Sequence, residues 1–264
     1  MSSEADVKAK DSDRGSLIDT LRVIFHALVL ALLVRIFLYQ PFNIPSGSMI
    51  PTLLVGDYLF VSKFSYGFSK YSFPWSPNLF SGRILGSEPA RGDVAVFKLP
   101  SDNSTDYIKR VIGLPGERIQ MIRGVLHING QPVERRRVED FTGRAATCNV
   151  PRNGDIQVAH YIETLPNGVQ HATLDCRAGS DGDDTSVFEV PEGHYFMMGD
   201  NRDNSSYSRF GVNGGGGGVG FVPLENLIGR ADIIFFSMGE SASLFAPWRW
   251  PFEIRWARFF GLID

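Results

Sequence analysis

The stretch Pro45-Ser-Gly-Ser-Met-Ile-Pro-Thr52 sets two serines among two prolines and a glycine. Pro45 limits the approach to a turn, Gly47 gives the backbone room to bend, and Pro51 blocks early helix formation, so Ser48 is expected to stand exposed beside its own backbone N–H. A serine hydroxyl stays unreactive until a neighbouring base takes its proton. Some sixty residues on, Asp106-Tyr-Ile-Lys-Arg110 offers a lysine, which serves as that base only if its neutral form is populated near pH 7. If residues 106–113 form a strand, Tyr107, Lys109 and Val111 point to one face and Ile108, Arg110 and Ile112 to the other. Two adjacent cations then have different surroundings. Lowering a lysine pKa from about 10.4 to about 7 or 8 takes roughly 3 to 5 kcal/mol of bias against the charged form. Desolvation among apolar side chains supplies such a bias, whereas arginine would stay charged.

A serine in a Pro/Gly turn is ordinarily only a turn, and a lysine in an apolar strand is ordinarily a snorkelling edge residue. Their combination carries more. Pro45-Ser-Gly-Ser-Met-Ile-Pro-Thr52, Arg91-Gly-Asp93, Tyr107-Ile-Lys-Arg-Val-Ile-Gly-Leu-Pro-Gly116 and Gly199-Asp-Asn-Arg-Asp-Asn-Ser-Ser206 resemble successive boxes of bacterial type I signal peptidase, also called leader peptidase. The boxes stand in that family's order, and with an apolar span ahead of them the resemblance extends from about residue 17 to residue 237. It implies Ser48 as nucleophile and Lys109 as general base, later the acid that protonates the leaving amine. It further implies an oxyanion hole from the Ser46 hydroxyl and the Ser48 N–H, a Ser205 that orients the Lys109 amine, and a supporting pair between Asp200 and Arg110. At Tyr207, ahead of Ser208-Arg209, the chain departs from the acidic residue common in the family, so the local ion pair to Arg209 is not carried over. The implied substrates are exported preproteins with a signal sequence, cut after a small-x-small motif, with proximity to the secretion machinery. No metal or organic cofactor is implied.

The chain has 264 residues, 43% hydrophobic and 21% charged, which reads as globular and long enough for a substantial core. A net charge of −3 and a pI near 6.0 give no electrostatic reason to expect nucleic acid as a partner. The run Arg135-Arg-Arg137 reads as a solvated patch. From Leu17 to Leu38 the sequence is largely apolar, with Asp19, Arg22 and Arg35 toward its ends. That is long enough to cross a bilayer and longer than the apolar part of a cleavable signal. The expected organisation is a cytoplasmic tail over residues 1–16, an uncleaved single-pass anchor over 17–38, a periplasmic peptidase domain over 39–240 with an inserted portion at about 130–189, and an aromatic and basic segment over 241–264. Lys8, Lys10, Arg14 and Arg22 set that orientation, with the anchor in a bacterial inner membrane.

Short apolar or alternating runs at Tyr58–Ser62, Val94–Lys98, Tyr107–Ile112, Arg118–Ile122, Val125–Ile128, Tyr195–Met198 and Ala231–Phe236 are punctuated by Gly, Pro, Asn and Asp. They argue for a mainly β, antiparallel domain, and the resemblance implies the signal-peptidase β fold. Cys148 and Cys176 permit one intramolecular disulfide, plausible outside the cytoplasm, with two free thiols as the alternative. Aromatics interleaved with basic residues at Phe64–Trp75 and Trp248–Phe260 suit a lipid headgroup region or packing over the core. The glycine run Gly214–Gly218 lacks the Lys-Ser/Thr of a phosphate loop. None of the five histidines sits in a nucleophile motif, and none of the six lysines has a serine three residues before it, as a Ser-x-x-Lys enzyme requires. A membrane-anchored binding scaffold would share the topology but need no Ser48 hydroxyl.

Overall fold

The computed structural model describes residues 3–78, 80–148, 150, 154–180, 182–205, 218–239 and 247–263. Tyr207, Ser208, Arg209 and most of the glycine run lie outside them. Helix α1, Ser3–Phe37, carries an exposed apolar stretch of 20 residues, Ile18–Phe37. At 1.5 Å per residue this is about 30 Å, the thickness of a bilayer's hydrocarbon core. No other element of the described residues touches most of its length, so lipid is the natural solvent for Leu21, Phe25, Leu28 and Leu30, all more than half exposed.

Strands follow in chain order: β1 Tyr39–Asn43, β2 Asp57–Ser62, β3 Val94–Lys98, β4 Asp106–Gly113, β5 Arg118–Ile122, β6 Val125–Ile128, β7 Gln131–Pro132, β8 Glu134–Arg137, β9 Phe141–Arg144, β10 Asp155–Thr164, β11 Gln170–Asp175, β12 Phe188–Glu189, β13 His194–Met198, β14 Val222–Pro223, β15 Leu227–Ser237 and β16 Gly261–Leu262. One sheet runs β1-β2-β15-β3-β4-β13-β14, with β16 added to β15. A second runs β12-β5-β6-β7, and a third runs β11-β10-β8 with β9 also on β10. Their pairings are antiparallel.

The first sheet positions the site because β3 is buried on both faces. Val94 and Val96 pack with Leu59, Val61 and Ile228, while Ala95 and Phe97 pack with Val111, Tyr195 and Leu227. This period of two leaves β4 no freedom of register: a slip by one residue would turn Val111 out of its core. Lys109 is thereby set opposite Ala95, and Arg110 opposite Val94.

Two segments gain detail. The arginine run forms strand β8, with Arg136 and Arg137 solvated as expected and Arg135 partly buried. Arg135 bonds to Asp175 at 2.9 Å, and its guanidinium lies 3.5 Å from the Tyr161 ring centre, because β8 pairs with β10 and faces a carboxylate on β11. The C-terminal residues 247–263 pack over the core through their basic residues and leave aromatic rings exposed. Arg258 donates to Asp57 and to the Thr52 carbonyl, docking the segment on the core, while Trp248, Phe252, Trp256 and Phe260 remain 61–90% exposed.

Candidate active site

Ser48 lies in a 3-10 turn, Gly47–Met49, which Ser46 enters in extended conformation and Ile50 leaves ahead of a cis Ile50–Pro51 peptide. Gly47 has no left-handed φ; its value is space, since a Cβ there would come 3.0 Å from Ile50 Cδ1. The turn is held from below by Asn201, which is fully buried. Its side-chain amide donates to the Gly47 carbonyl at 3.0 Å and to the Thr147 carbonyl at 2.7 Å, and its backbone N–H donates to the Ser48 carbonyl at 3.2 Å. Gly199 allows this approach, because a Cβ on it would overlap the Ser48 carbonyl and the Ser205 hydroxyl.

The expectation of an exposed Ser48 is corrected: it is only 7% exposed, because its side chain turns inward toward β4. There Lys109 Nζ donates to Ser48 Oγ at 2.6 Å and to the Ile108 carbonyl at 3.0 Å. The Lys109 side chain is 3% exposed, and its Nζ lies 5.6 Å from the Tyr107 ring centre. Burial lowers its pKa to about 8, against an opposing pull from the Asp200 carboxylate. Ser46 Oγ stands 3.5 Å from Ser48 Oγ and makes no capping bond to the turn.

Arg110 and Asp200 are fully buried and form a two-pronged pair, Nε to Oδ1 and Nη2 to Oδ2, each 2.9 Å. Arg110 also donates to the Gly92 carbonyl, and Thr52 donates to Asp200 Oδ2 at 2.5 Å. Burial alone would raise the Asp200 pKa, but the Arg110 charge and the hydrogen bonds hold it below the usual carboxylate range. The pair thus ties β4 to both the end of the Ser48 turn and the Gly199–Asp203 segment. Thr52 and Asn201 fall within recognised boxes, yet their partners were not legible from position alone.

Ser205 is also buried, but among the described residues its hydroxyl has no hydrogen-bond partner, and the expected bond to the Lys109 amine is not formed. The amine instead spends its donors on Ser48 and on its own strand's carbonyl. Cys148 and Cys176 are joined by a disulfide. It lies beside Thr147, whose carbonyl receives both Asn201 and Asn204. Among the described residues, no three His, Cys, Asp or Glu side chains are grouped to hold a metal ion.

Ser48 and Lys109 line a groove of about 450 Å³ together with Phe42 of β1, Ile44 just beyond it, Val96 of β3, and Tyr107 and Ile108 of β4. A buried hydroxyl and a buried amine of lowered pKa thus meet beside a groove, in a mainly antiparallel β domain that follows one apolar helix long enough to cross a membrane. The model of the family described as signal peptidase, peptidase S26, matches residues 17–236, and the chain belongs to that family. It is 43% identical to signal peptidase I of Rickettsia typhi over 219 residues, covering 80% of this chain and 76% of the relative. The corresponding protein of Rickettsia conorii is 44% identical over 219 residues, with the same coverage. A crystal structure of a signal peptidase I from Enterococcus faecalis is 26% identical and covers 55% of this chain and 97% of its own, at a TM-score of 0.29.

Proposed function

We propose that this chain is a single-pass serine endopeptidase that removes N-terminal signal peptides from exported preproteins, with Ser48 as nucleophile and Lys109 as general base. The observation that carries the reading is the 2.6 Å contact between Lys109 Nζ and Ser48 Oγ, made by an amine whose pKa burial has lowered to about 8. Neutral Lys109 takes the hydroxyl proton as Ser48 Oγ adds to the scissile carbonyl. The oxyanion that forms is met by the Ser48 N–H and the Ser46 hydroxyl. Collapse breaks the peptide C–N bond, and Lys109 returns the proton to the leaving amine, which becomes the new N-terminus. An acyl ester remains on Ser48. A water that gives its proton to Lys109 then hydrolyses that ester and restores the hydroxyl.

The groove supports the substrate class. Phe42, Ile44, Val96, Tyr107 and Ile108 give it an apolar lining beside Ser48, which suits the small apolar residues of a small-x-small cleavage motif. Its β1 wall continues directly from α1, so a signal segment lying in the bilayer would reach the groove from the membrane side. We place residues 1–16 in the cytoplasm, 17–38 in the inner membrane, and the domain of 39–240, with its insertion, in the periplasm near the secretion machinery. Of the 241–264 segment, residues 247–263 dock on that domain through Arg255 and Arg258, and we place their exposed aromatic rings at the lipid surface.

The test separates binding from turnover. A signal-bearing precursor is incubated in micelles with wild type or Ser48→Ala, binding is read by fluorescence anisotropy, and products are identified by mass. The expected result is retained binding with no cleavage. Cleavage by Ser48→Ala near the wild-type rate would end the nucleophile assignment, and binding without cleavage by wild type would favour a scaffold.

A further inference from the structure

The Arg91-Gly-Asp93 box supplies no reacting group, yet its backbone lies against the catalytic strand. Its first peptide is fixed at both ends: the Gly92 N–H donates to the Val111 carbonyl at 2.8 Å, and the Arg91 carbonyl accepts the Asn167 side-chain amide at 2.7 Å. A planar peptide held on both sides is not free to rotate. The next carbonyl, that of Gly92, is thereby aimed at Arg110 and accepts its Nη1 at 2.7 Å. Gly92 has φ +100°, and a Cβ on it would lie 2.8 Å from Val169 Cγ1, so Val169 is packed directly on this turn.

Asn167 and Val169 belong to the link between β10 and β11 of the inserted portion and to its edge. Asn167 Oδ1 accepts the Val169 N–H at 3.4 Å, which turns Nδ2 toward Arg91, while Leu165 and Val169 anchor the link on the core of Ile112 and Met198. The far end of the same hairpin reaches the other half of the buried pair. Leu174 of β11 donates its N–H to the Asp200 carbonyl, and its own carbonyl accepts the Arg202 N–H, each at 2.9 Å. The Arg202 side chain in turn donates to buried Glu163 of β10 at 3.0 Å. One hairpin thus holds Arg110 through Gly92 and Asp200 through Leu174, the two groups that tie the Lys109 strand to the support of the Ser48 turn.

We propose that the β10–β11 hairpin sets the geometry of the Ser48–Lys109 contact, with Asn167 as a positioning residue. This rests on the endopeptidase reading above. Asn167 is not part of the groove beside Ser48, so it acts on turnover through Arg91, Gly92 and Arg110. A displacement of about 1 Å caused far from the chemistry is enough to cost up to about 100-fold in rate.

Asn167→Asp is the sharpest test, because the side chain is exposed and keeps its shape: the acceptor for Val169 remains, and the donor to Arg91 becomes an oxygen. Gln170→Glu makes the same charge change on the same hairpin, where the exposed amide donates to Thr164 at 3.4 Å, and serves as control. Full-length enzymes in micelles cut one signal-bearing peptide over a range of pH. Asn167→Asp and Asn167→Ala should each lower kcat about tenfold and leave KM within about twofold of wild type. Because burial is what lowers the Lys109 pKa, a loosened strand should also move the midpoint of kcat/KM against pH upward, by about half a unit. That midpoint is read within one preparation, so a partly unfolded sample does not shift it. Gln170→Glu should keep the wild-type kcat and midpoint. A wild-type kcat or an unmoved midpoint in both Asn167 variants, or an equal loss in Gln170→Glu, would overturn the proposal and leave the endopeptidase reading intact. A wild type that cuts no signal-bearing peptide would overturn both.

Discussion

Lys109 Nζ and Ser48 Oγ stand 2.6 Å apart although 61 residues separate them in the chain. Two constraints bring them together. The alternation of β3 and β4 fixes which face Lys109 occupies, and the Arg110–Asp200 pair on the next residue ties the strand to the segment that supports the Ser48 turn. Adjacent cations on β4 thus have different surroundings, Lys109 with its pKa lowered to about 8 by burial and Arg110 held in a two-pronged pair with buried Asp200.

Lys109→Met should abolish cleavage and stabilise the fold. In the folded chain Lys109 titrates near 8 rather than 10.5, so below about pH 8 it is protonated in both states and folding bears the full cost of burying an ammonium. At ~1.36 kcal/mol per pKa unit that cost is about 3 kcal/mol, and it vanishes as pH rises from about 8 to 10.5. Guanidinium unfolding at pH 7 should show the variant more stable than wild type, with the gap closing above pH 10. A destabilised variant at pH 7 would mean the buried amine is not the strained group described here.

Asp200→Ala should be the more damaging change to the fold. It leaves Arg110, fully buried, without its carboxylate and removes the acceptor of Thr52. Breaking a buried pair in this way costs about 3 to 5 kcal/mol, whereas replacing both partners by apolar residues of similar volume costs far less. Thermal unfolding of Asp200→Ala and of Arg110→Met/Asp200→Leu checks this: the double variant should be the more stable of the two.

The disulfide should act on stability and on turnover together. It closes a separation of 28 residues, for which the loop-entropy argument gives about 3 to 4 kcal/mol. It also anchors the Thr147 carbonyl that receives Asn201, and Asn201 holds the Ser48 turn. Cys148→Ser/Cys176→Ser should therefore lower the unfolding midpoint and also lower kcat severalfold with little change in KM, measured on one peptide at a temperature where the variant is folded.

Several strands were legible because their apolar residues alternate: Val94–Lys98, Arg118–Ile122 and Val125–Ile128 occur at the expected residues. The inserted strands were less so. β8 is three arginines and a glutamate, and its place in a sheet comes from Tyr161 and Asp175, partners that lie 26 and 40 residues from Arg135 and are invisible to local periodicity. The same limit governs the site. The turn chemistry of 45–52 and the strand chemistry of 106–113 could each be read locally, and the family's order of boxes joined them. The bond from Thr52 to Asp200 spans 148 residues and that from Asn201 to Gly47 spans 154, so their geometry needed the fold. Ser48 was expected to be exposed for the same reason: a turn motif carries no information about what packs over it.

The most direct test of the Ser48–Lys109 account is the pH dependence of kcat/KM for one peptide in micelles, since this quantity reports the titrating groups of the free enzyme. A buried lysine that must be neutral to accept the Ser48 proton predicts activity rising with pH to a midpoint near about 8, the value burial imposes on Lys109. The separate variants His127→Gln, His160→Gln, His171→Gln and His194→Gln should keep that midpoint. A rise centred near 6.5 that one histidine variant removes, or a Lys109→Met enzyme that keeps the wild-type rate, would contradict it.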